Sequence, residues 1–271
     1  MARAAAPAAR AADGAGTPGD SLPAPPDPGF FGRDDTILAL DRAFTNQPVV
    51  LLHGPAGVGK TAAAAEFGRW YQRTGGTLGP ILYTLLRQHS TPADLGGQLA
   101  ATFAADLAAH GLSWDQILES QHSPVITQIM LEQPLLWIWD DLDAVTDAAG
   151  HPAGALSAGR QDLLAFLRTG RDTQAKILLI SRGDEQGWLG DLPARIPLPP
   201  LPAAESALLI RAIAASNGIS LTSLGPSSPV LTAVGGNPGI ITDLAQRALR
   251  AGCTSSEDLE NFMTGTSARH E

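Results

Sequence analysis

Val49-Val50-Leu51-Leu52-His53-Gly54-Pro55-Ala56-Gly57-Val58-Gly59-Lys60-Thr61, running on into Ala62-Ala63-Ala64-Ala65-Glu66-Phe67, is the stretch that decides the fold. Four consecutive apolar residues after Pro48 have the length and continuity of a strand buried on both faces, as in a parallel sheet. Gly54-x-x-x-x-Gly59-Lys60-Thr61 then fits a phosphate-binding loop at every fixed position. Each position has a physical reason. Glycine lets the backbone curl tightly enough to aim successive N–H groups at an anion. The helix expected from Ala62 to Tyr71 turns its positive end toward the same point. Lys60 adds a point charge for β- and γ-phosphates, and the Thr61 hydroxyl is a magnesium ligand. Gly54, Pro55, Ala56, Gly57, Val58, Gly59, Lys60 and Thr61 are therefore the expected contacts of a nucleotide, ATP or ADP, with Mg2+.

Upstream of the loop, Asp34-Asp35-Thr36 precedes Ile37, Leu40 and Phe44, whose spacing of three and four is helical. Downstream, Ile81–Leu85, Leu135–Trp139 and Lys176–Ile180 are further short apolar strands, and Ile196-Pro197-Leu198 has prolines that suit an edge strand. Residues 92–131 are predicted helical in two or three pieces, broken near Gly111 and Pro124. Residues 146–159, rich in Ala, Gly and Pro, are expected to be a surface loop, and Leu163, Leu164, Phe166 and Leu167 mark another helix. Strands alternating with helices imply an α/β fold, a three-layer parallel-sheet P-loop NTPase. After Leu201 the pattern turns to helices alone, over 203–217, 226–234 and 238–251. The expected division is a disordered Ala/Pro-rich tail (1–28), the P-loop domain (29–199) and a small C-terminal helical subdomain (200–271).

Composition narrows the partners. The chain has 271 residues with 18 Lys and Arg against 27 Asp and Glu, a net charge of −9, which disfavours nucleic acid as the main partner. One cysteine, Cys253, allows no internal disulfide, and no Cys/His cluster has zinc spacing. No apolar run approaches the roughly 18 residues of a membrane span. The Ala-rich start with Arg3 and Arg10 lacks the long apolar core of a secretory signal. A cytoplasmic location without membrane association is expected.

Three further features carry chemistry. Strand 135–139 delivers Asp140, Asp141 and Asp143 to the sheet edge where the loop lies. A carboxylate there is a hard ligand for magnesium, Asp140 being the first candidate, and Asp141 or Asp143 is then placed to polarise a water. Arg182, just after strand 176–180, has the planar fork that pairs phosphate oxygens and could sense a γ-phosphate. Gly235-Gly236-Asn237-Pro238-Gly239 opens the last helix and is either a plain turn or a rigid surface for the base or ribose.

Taken in order, Phe31-Gly32-Arg33, the loop, the strand with its acids, Lys176 to Arg182 and Gly236-Asn237-Pro238 resemble the STAND class of P-loop NTPases, especially the NB-ARC and NACHT types. The stretch Asp184 to Pro193 is similar to bacterial relatives, some fused to CHAT or tetratricopeptide domains. The resemblance spans about residues 29–250. It implies Lys60 and Thr61 as Walker A residues, Asp140 as the Walker B magnesium acid and Arg182 as a sensor arginine. It also implies Pro238 against the base, with the backbone of Phe31, Gly32 and Arg33 beside the adenine. Asp141 fits the NB-ARC pattern and Asp143 the NACHT spacing. Such proteins are usually slow ATPases that act as signalling switches, closed with ADP and able to self-associate or engage a protein partner with ATP. The winged-helix domain that often follows, with its histidine to ADP, has no counterpart in these residues, which fit a fragment, a stand-alone core or one component of a split system, so the closed-state lock is not assumed. Two other functions compete with a switch. A small-molecule phosphotransferase would need a basic lid, and residues 81–133 hold Arg87 and no lysine. An adaptor that binds nucleotide only for stability would not need the acids after Trp139.

Overall fold

The computed structural model describes residues 22–145, 158–221 and 228–253, with residues 255, 257, 258, 261 and 262. The expected tail up to residue 21, the loop of residues 146–157 and the start of the predicted helix 226–234 lie outside the described residues, as does most of the chain after 253.

Five parallel strands form one sheet: β1 (Val49–His53), β2 (Ile81–Leu85), β3 (Leu135–Asp140), β4 (Ala175–Ser181) and β5 (Ala194–Pro197), in the order β2-β3-β4-β1-β5. The order reverses at β1. The chain leaves β1 for the far edge, returns through β3 and β4, and then passes to β5 on the other side. Register is tight at the centre, with Val49 opposite Ile177 and His53 opposite Ser181 across β1 and β4, and Leu135 opposite Ala175 across β3 and β4. β5 lies at the edge, where a proline interrupts no ladder.

The period of two along each strand divides the core. Val49 and Leu51, with Trp137, Trp139, Ile177 and Leu179, face one apolar cluster. Val50 and Leu52, with Leu136, Ile138, Leu178 and Ile180, face the other. The second is closed by α1 (Asp34–Asn46) and α2 (Lys60–Arg73), through Ile37, Leu40, Phe44, Phe67 and Tyr71. The first is closed by α3 (Pro92–Thr102), α4 (Ala104–Ala109), α5 (Glu119–Glu132), α6 (Ala158–Gly170) and the short α7 (Gln186–Leu189). Two helical layers thus sandwich the sheet, as the sequence leads one to expect. Leu22 lies against Gly68 of α2, and Arg69 donates to the Pro23 carbonyl.

One local expectation fails. Pro124 does not break a helix; it lies inside α5. The missing N–H costs one hydrogen bond, but Ile126, Ile129 and Met130 on the following turns are buried and hold the helix against the sheet. The interruption falls earlier, between Gly111 and Leu118, where only a 3-10 turn at Trp114–Gln116 is helical.

After β5 come α8 (Ala203–Ser216), α9 (Pro229–Val234) and α10 (Pro238–Arg250), which pack around a third cluster that includes Ile210, Ile213, Val234, Ile241 and Leu244. Phe31 joins this cluster from the other end of the described chain. No helix among the described residues is long and apolar enough to cross a membrane.

Candidate functional site

The loop between β1 and α2 has the backbone that its glycines permit. Gly57 and Gly59 have φ of 75° and 94°, in the left-handed region. A Cβ on Gly54 would stand 3.0 Å from the Leu198 carbonyl, so that glycine lets the chain after β5 pass close by. Among the described residues, the amides of Gly57, Gly59, Lys60 and Thr61 donate to no protein acceptor. The last three open α2, whose first N–H groups have no partner within the helix. Donors converging at a helix N-terminus form an anion site.

Lys60 Nζ donates to the carbonyls of Gly54 at 2.8 Å and Pro55 at 3.0 Å, folding its ammonium back over the loop. Burial lowers its pKa. The carboxylate of Asp143 opposes that shift, the positive charge of Arg182 adds to it, and Asp140 and Asp141 oppose it more weakly. Lys60, Arg182 and the three acids therefore share one field at the carboxyl edge of the sheet.

Asp140 is the best-held acid, with 5% of its surface exposed. Its Oδ2 accepts from Thr61 Oγ1 at 2.6 Å and from the Tyr83 hydroxyl at 2.7 Å, and its Oδ1 from the Asp141 amide at 2.8 Å. β4 separates β1 from β3, so the Thr61–Asp140 bond spans that gap from the start of α2. Tyr83, on β2, was not singled out in the sequence. Burial raises its pKa strongly, and its bond to Asp140 adds to the shift.

Asp141 and Asp143 differ in their surroundings. Asp141 has φ of 60°, and among the described residues its carboxylate accepts no hydrogen bond. Asp143 receives the Arg182 amide at 3.1 and 2.9 Å on its two oxygens and lies 3.0 Å from Ser181 Oγ. Ser181 Oγ is also 2.5 Å from Glu185 Oε1, and Glu185 accepts the Trp188 indole N–H at 2.7 Å. The hydroxyl has one proton for two carboxylates, so the pair Asp143 and Glu185 shares it. The Arg182 side chain is 67% exposed, with Nε 3.9 Å from Asp143.

Residues 29–214 match the AAA ATPase domain family. The chain belongs to this family. No curated protein matches it by sequence. The AAA ATPase domain is similar in structure to the Walker-type ATPase of Pyrococcus abyssi (15% identity, 93% of this chain and 75% of that one, TM-score 0.56). It is also similar to the ORC2 protein of Aeropyrum pernix, solved in ADPNP–ADP complexes (15%, 92% and 70%, TM-score 0.55). A third likeness is to a STAND protein with a tetratricopeptide repeat sensor from Pyrococcus horikoshii (16%, 93% of this chain and 34% of that one, TM-score 0.56). At these identities the likeness is one of fold, a P-loop ATPase fold in each case.

Two segments remote in sequence complete the edge of the AAA ATPase domain. Arg33, 8% exposed, donates from Nη2 to the Val58 carbonyl at 2.8 Å and from Nη1 to the Pro199 carbonyl. Its guanidinium is desolvated, which lowers its pKa from the ordinary arginine value. Gly32, with φ of 60°, lies against Glu205 of α8. On the other side the start of α10 meets the loop. Asn237 Nδ2 donates to the Ala56 carbonyl at 3.0 Å, the Gly239 amide donates to Gly57 O at 3.0 Å, and the Pro238 ring borders Gly59. The sequence pointed to the backbone of 31–33 and to Pro238. The side chains of Arg33 and Asn237 also touch the loop, through hydrogen bonds to Val58 and Ala56.

Proposed function

We propose that this AAA ATPase domain binds ATP and ADP with magnesium along Gly54–Thr61, hydrolyses ATP slowly, and serves as a nucleotide-dependent signalling switch. The observation that carries the reading is the convergence of the unpaired loop amides, Lys60 and the Thr61–Asp140 pair at one sheet edge. Polyphosphate would take the amides and draw the Lys60 ammonium off the Gly54 and Pro55 carbonyls. A hydroxyl and a carboxylate 2.6 Å apart suit magnesium, which takes oxygen ligands and completes its shell with phosphate oxygens and water. Thr61 and Asp140 would hold it, and it would offset charge on the phosphates.

Of the two candidate bases, Asp141 is favoured, because its carboxylate has lone pairs free to orient a water. Asp143 is occupied in holding the turn that bears Arg182, and Arg182 has the exposure and reach to meet a γ-phosphate. The base would lie between the backbone of Phe31, Gly32 and Arg33 and the ring of Pro238. Because the start of α10 rests on the loop, nucleotide state would bias the placement of α8–α10, and with it self-association or the capture of a protein partner. The fold shared with a STAND protein supports the switch.

The test is phosphate release and ADP titration on purified protein. Lys60→Ala is expected to weaken ADP binding by two orders of magnitude or more, roughly 3 kcal/mol for a buried ion contact, with the circular dichroism unchanged. Asp141→Asn is expected to lower turnover about 100-fold at unchanged ADP affinity, a usual loss for a general base. Asp143→Asn should retain turnover within about tenfold, the worth of a hydrogen bond or two. Wild-type affinity in Lys60→Ala would refute the site, and full turnover in Asp141→Asn would refute the base.

A further inference from the structure

Every carbonyl from Gly54 to Val58 is engaged by a donor that belongs to no part of that five-residue stretch. Lys60 takes those of Gly54 and Pro55, Asn237 Nδ2 that of Ala56, the Gly239 amide that of Gly57, and Arg33 Nη2 that of Val58. In a trans peptide the C=O and the following N–H point in opposite directions. The Ala56 carbonyl held by Asn237 and the Val58 carbonyl held by Arg33 therefore turn the amides of Gly57 and Gly59 the other way, and these are among the loop amides that donate to no protein acceptor among the described residues. The hold by Lys60 is lost when its ammonium moves to a phosphate. The other three use groups with no part in phosphate binding, so they can persist with nucleotide bound.

Asn237 has the most telling geometry. Its Oδ1 accepts from the amides of Gly239 at 3.0 Å and Ile240 at 3.3 Å, which caps α10. An aspartate would cap as well but has no donor for Ala56, and a serine would cap with its one O–H on a side chain shorter by an atom. The side-chain amide has one sensible orientation here, since a flip would set oxygen against a carbonyl and nitrogen against two N–H groups. The approach is made possible by two glycines. A Cβ on Gly57 would be 2.8 Å from Asn237 Oδ1, and a Cβ on Gly239 would be 3.1 Å from both Cα and O of Gly57. The glycine at position 57 serves twice: it takes the left-handed φ of the loop, and it leaves room for the Asn237 side chain.

We infer that Asn237 is a positioning residue that fixes the shape of the phosphate loop from the helical end of the molecule, with Arg33 as its counterpart from the N-terminal side. Asn237 then ties nucleotide affinity to where α10 sits through its hydrogen bond to the loop, without itself touching the nucleotide. The inference rests on the nucleotide-binding reading for its effect on affinity, and on the loop alone for its effect on shape.

Asn237→Ser and Asn237→Asp each keep a capping oxygen; the aspartate removes the donor, and the serine draws it back by shortening the side chain. Aspartate, a strong cap, keeps the test in a folded chain should the serine variant melt. Two measurements decide. With N-methylanthraniloyl-ADP in EDTA, affinity should fall roughly tenfold in the serine variant, the worth of one hydrogen bond, and further in the aspartate variant, where a carboxylate faces the Ala56 carbonyl. Without nucleotide, hydrogen exchange of a peptide covering residues 54–61 should be faster in both variants than in the wild type. Affinity within twofold of wild type overturns the inference. So does weaker binding with unaltered exchange, because Asn237 would then act on the nucleotide directly. A wild-type chain that fails to bind the probe refutes the nucleotide reading instead, and the exchange comparison still decides whether Asn237 shapes the loop.

Discussion

At the residue scale the acids after β3 divide by what surrounds them. Asp140 is buried and accepts three hydrogen bonds, and the one from Tyr83 comes from a neighbouring strand. Tyr83→Phe removes a donor to a buried carboxylate and is expected to lower stability by roughly 1.5–3 kcal/mol in urea unfolding, the range for a hydrogen bond to a charged group. It should leave ADP affinity in EDTA unchanged and raise the magnesium concentration needed for half-maximal turnover, because the carboxylate is less firmly aimed. Unchanged stability and magnesium dependence would show that Tyr83 is only a neighbour. Asp140 was legible in the sequence, since a strand of five apolar residues ending in an acid puts that acid at a known edge. Tyr83 was not. Its place beside Asp140 depends on β2 pairing with β3 in a register that sets Tyr83 opposite Ile138, and nothing local encodes that. The choice between Asp141 and Asp143 was equally invisible, because it turns on the Arg182 amide arriving from β4.

Among the elements, strands and helices long enough to show a period were legible and their neighbours were not. Val49–Leu52, Ile81–Leu85 and Leu135–Trp139 announce themselves as apolar runs, but the order β2-β3-β4-β1-β5 does not follow from any one of them. Pro124 shows where a local rule yields to packing. A proline in mid-helix normally removes a bond and crowds the preceding turn. α5 survives because burial of Ile126, Ile129 and Met130 outweighs one lost bond, at about 1.5–3 kcal/mol for each buried side chain. The proline still carries a cost, so Pro124→Ala should stabilise the protein by about 1 kcal/mol. The gain is smaller than the full helix penalty of about 3 kcal/mol, because proline also restricts the unfolded chain. Thermal melting decides it, and a lowered midpoint would mean that the ring itself packs usefully.

For the whole molecule, the three apolar clusters fall on the two faces of the sheet and among α8–α10, and the last is joined to the rest around the phosphate loop through Arg33, Asn237 and Gly239. The five tryptophans, Trp70, Trp114, Trp137, Trp139 and Trp188, all precede α8. Fluorescence therefore reports the sheet and its helices alone, while far-ultraviolet circular dichroism also sees α8–α10. A ligand at 100 times its Kd stabilises the state that binds it by about 2.7 kcal/mol, which for a chain of this size moves a melting midpoint by roughly 5–10 °C. If nucleotide is gripped between the loop and the start of α10, as proposed, it favours only molecules in which both parts are folded. ADP should therefore raise the fluorescence and dichroism midpoints together, and Lys60→Ala should abolish both shifts. A fluorescence midpoint that rises while part of the dichroism change stays behind would mean that the nucleotide engages the sheet edge alone. The helices after β5 would then play no part in holding it.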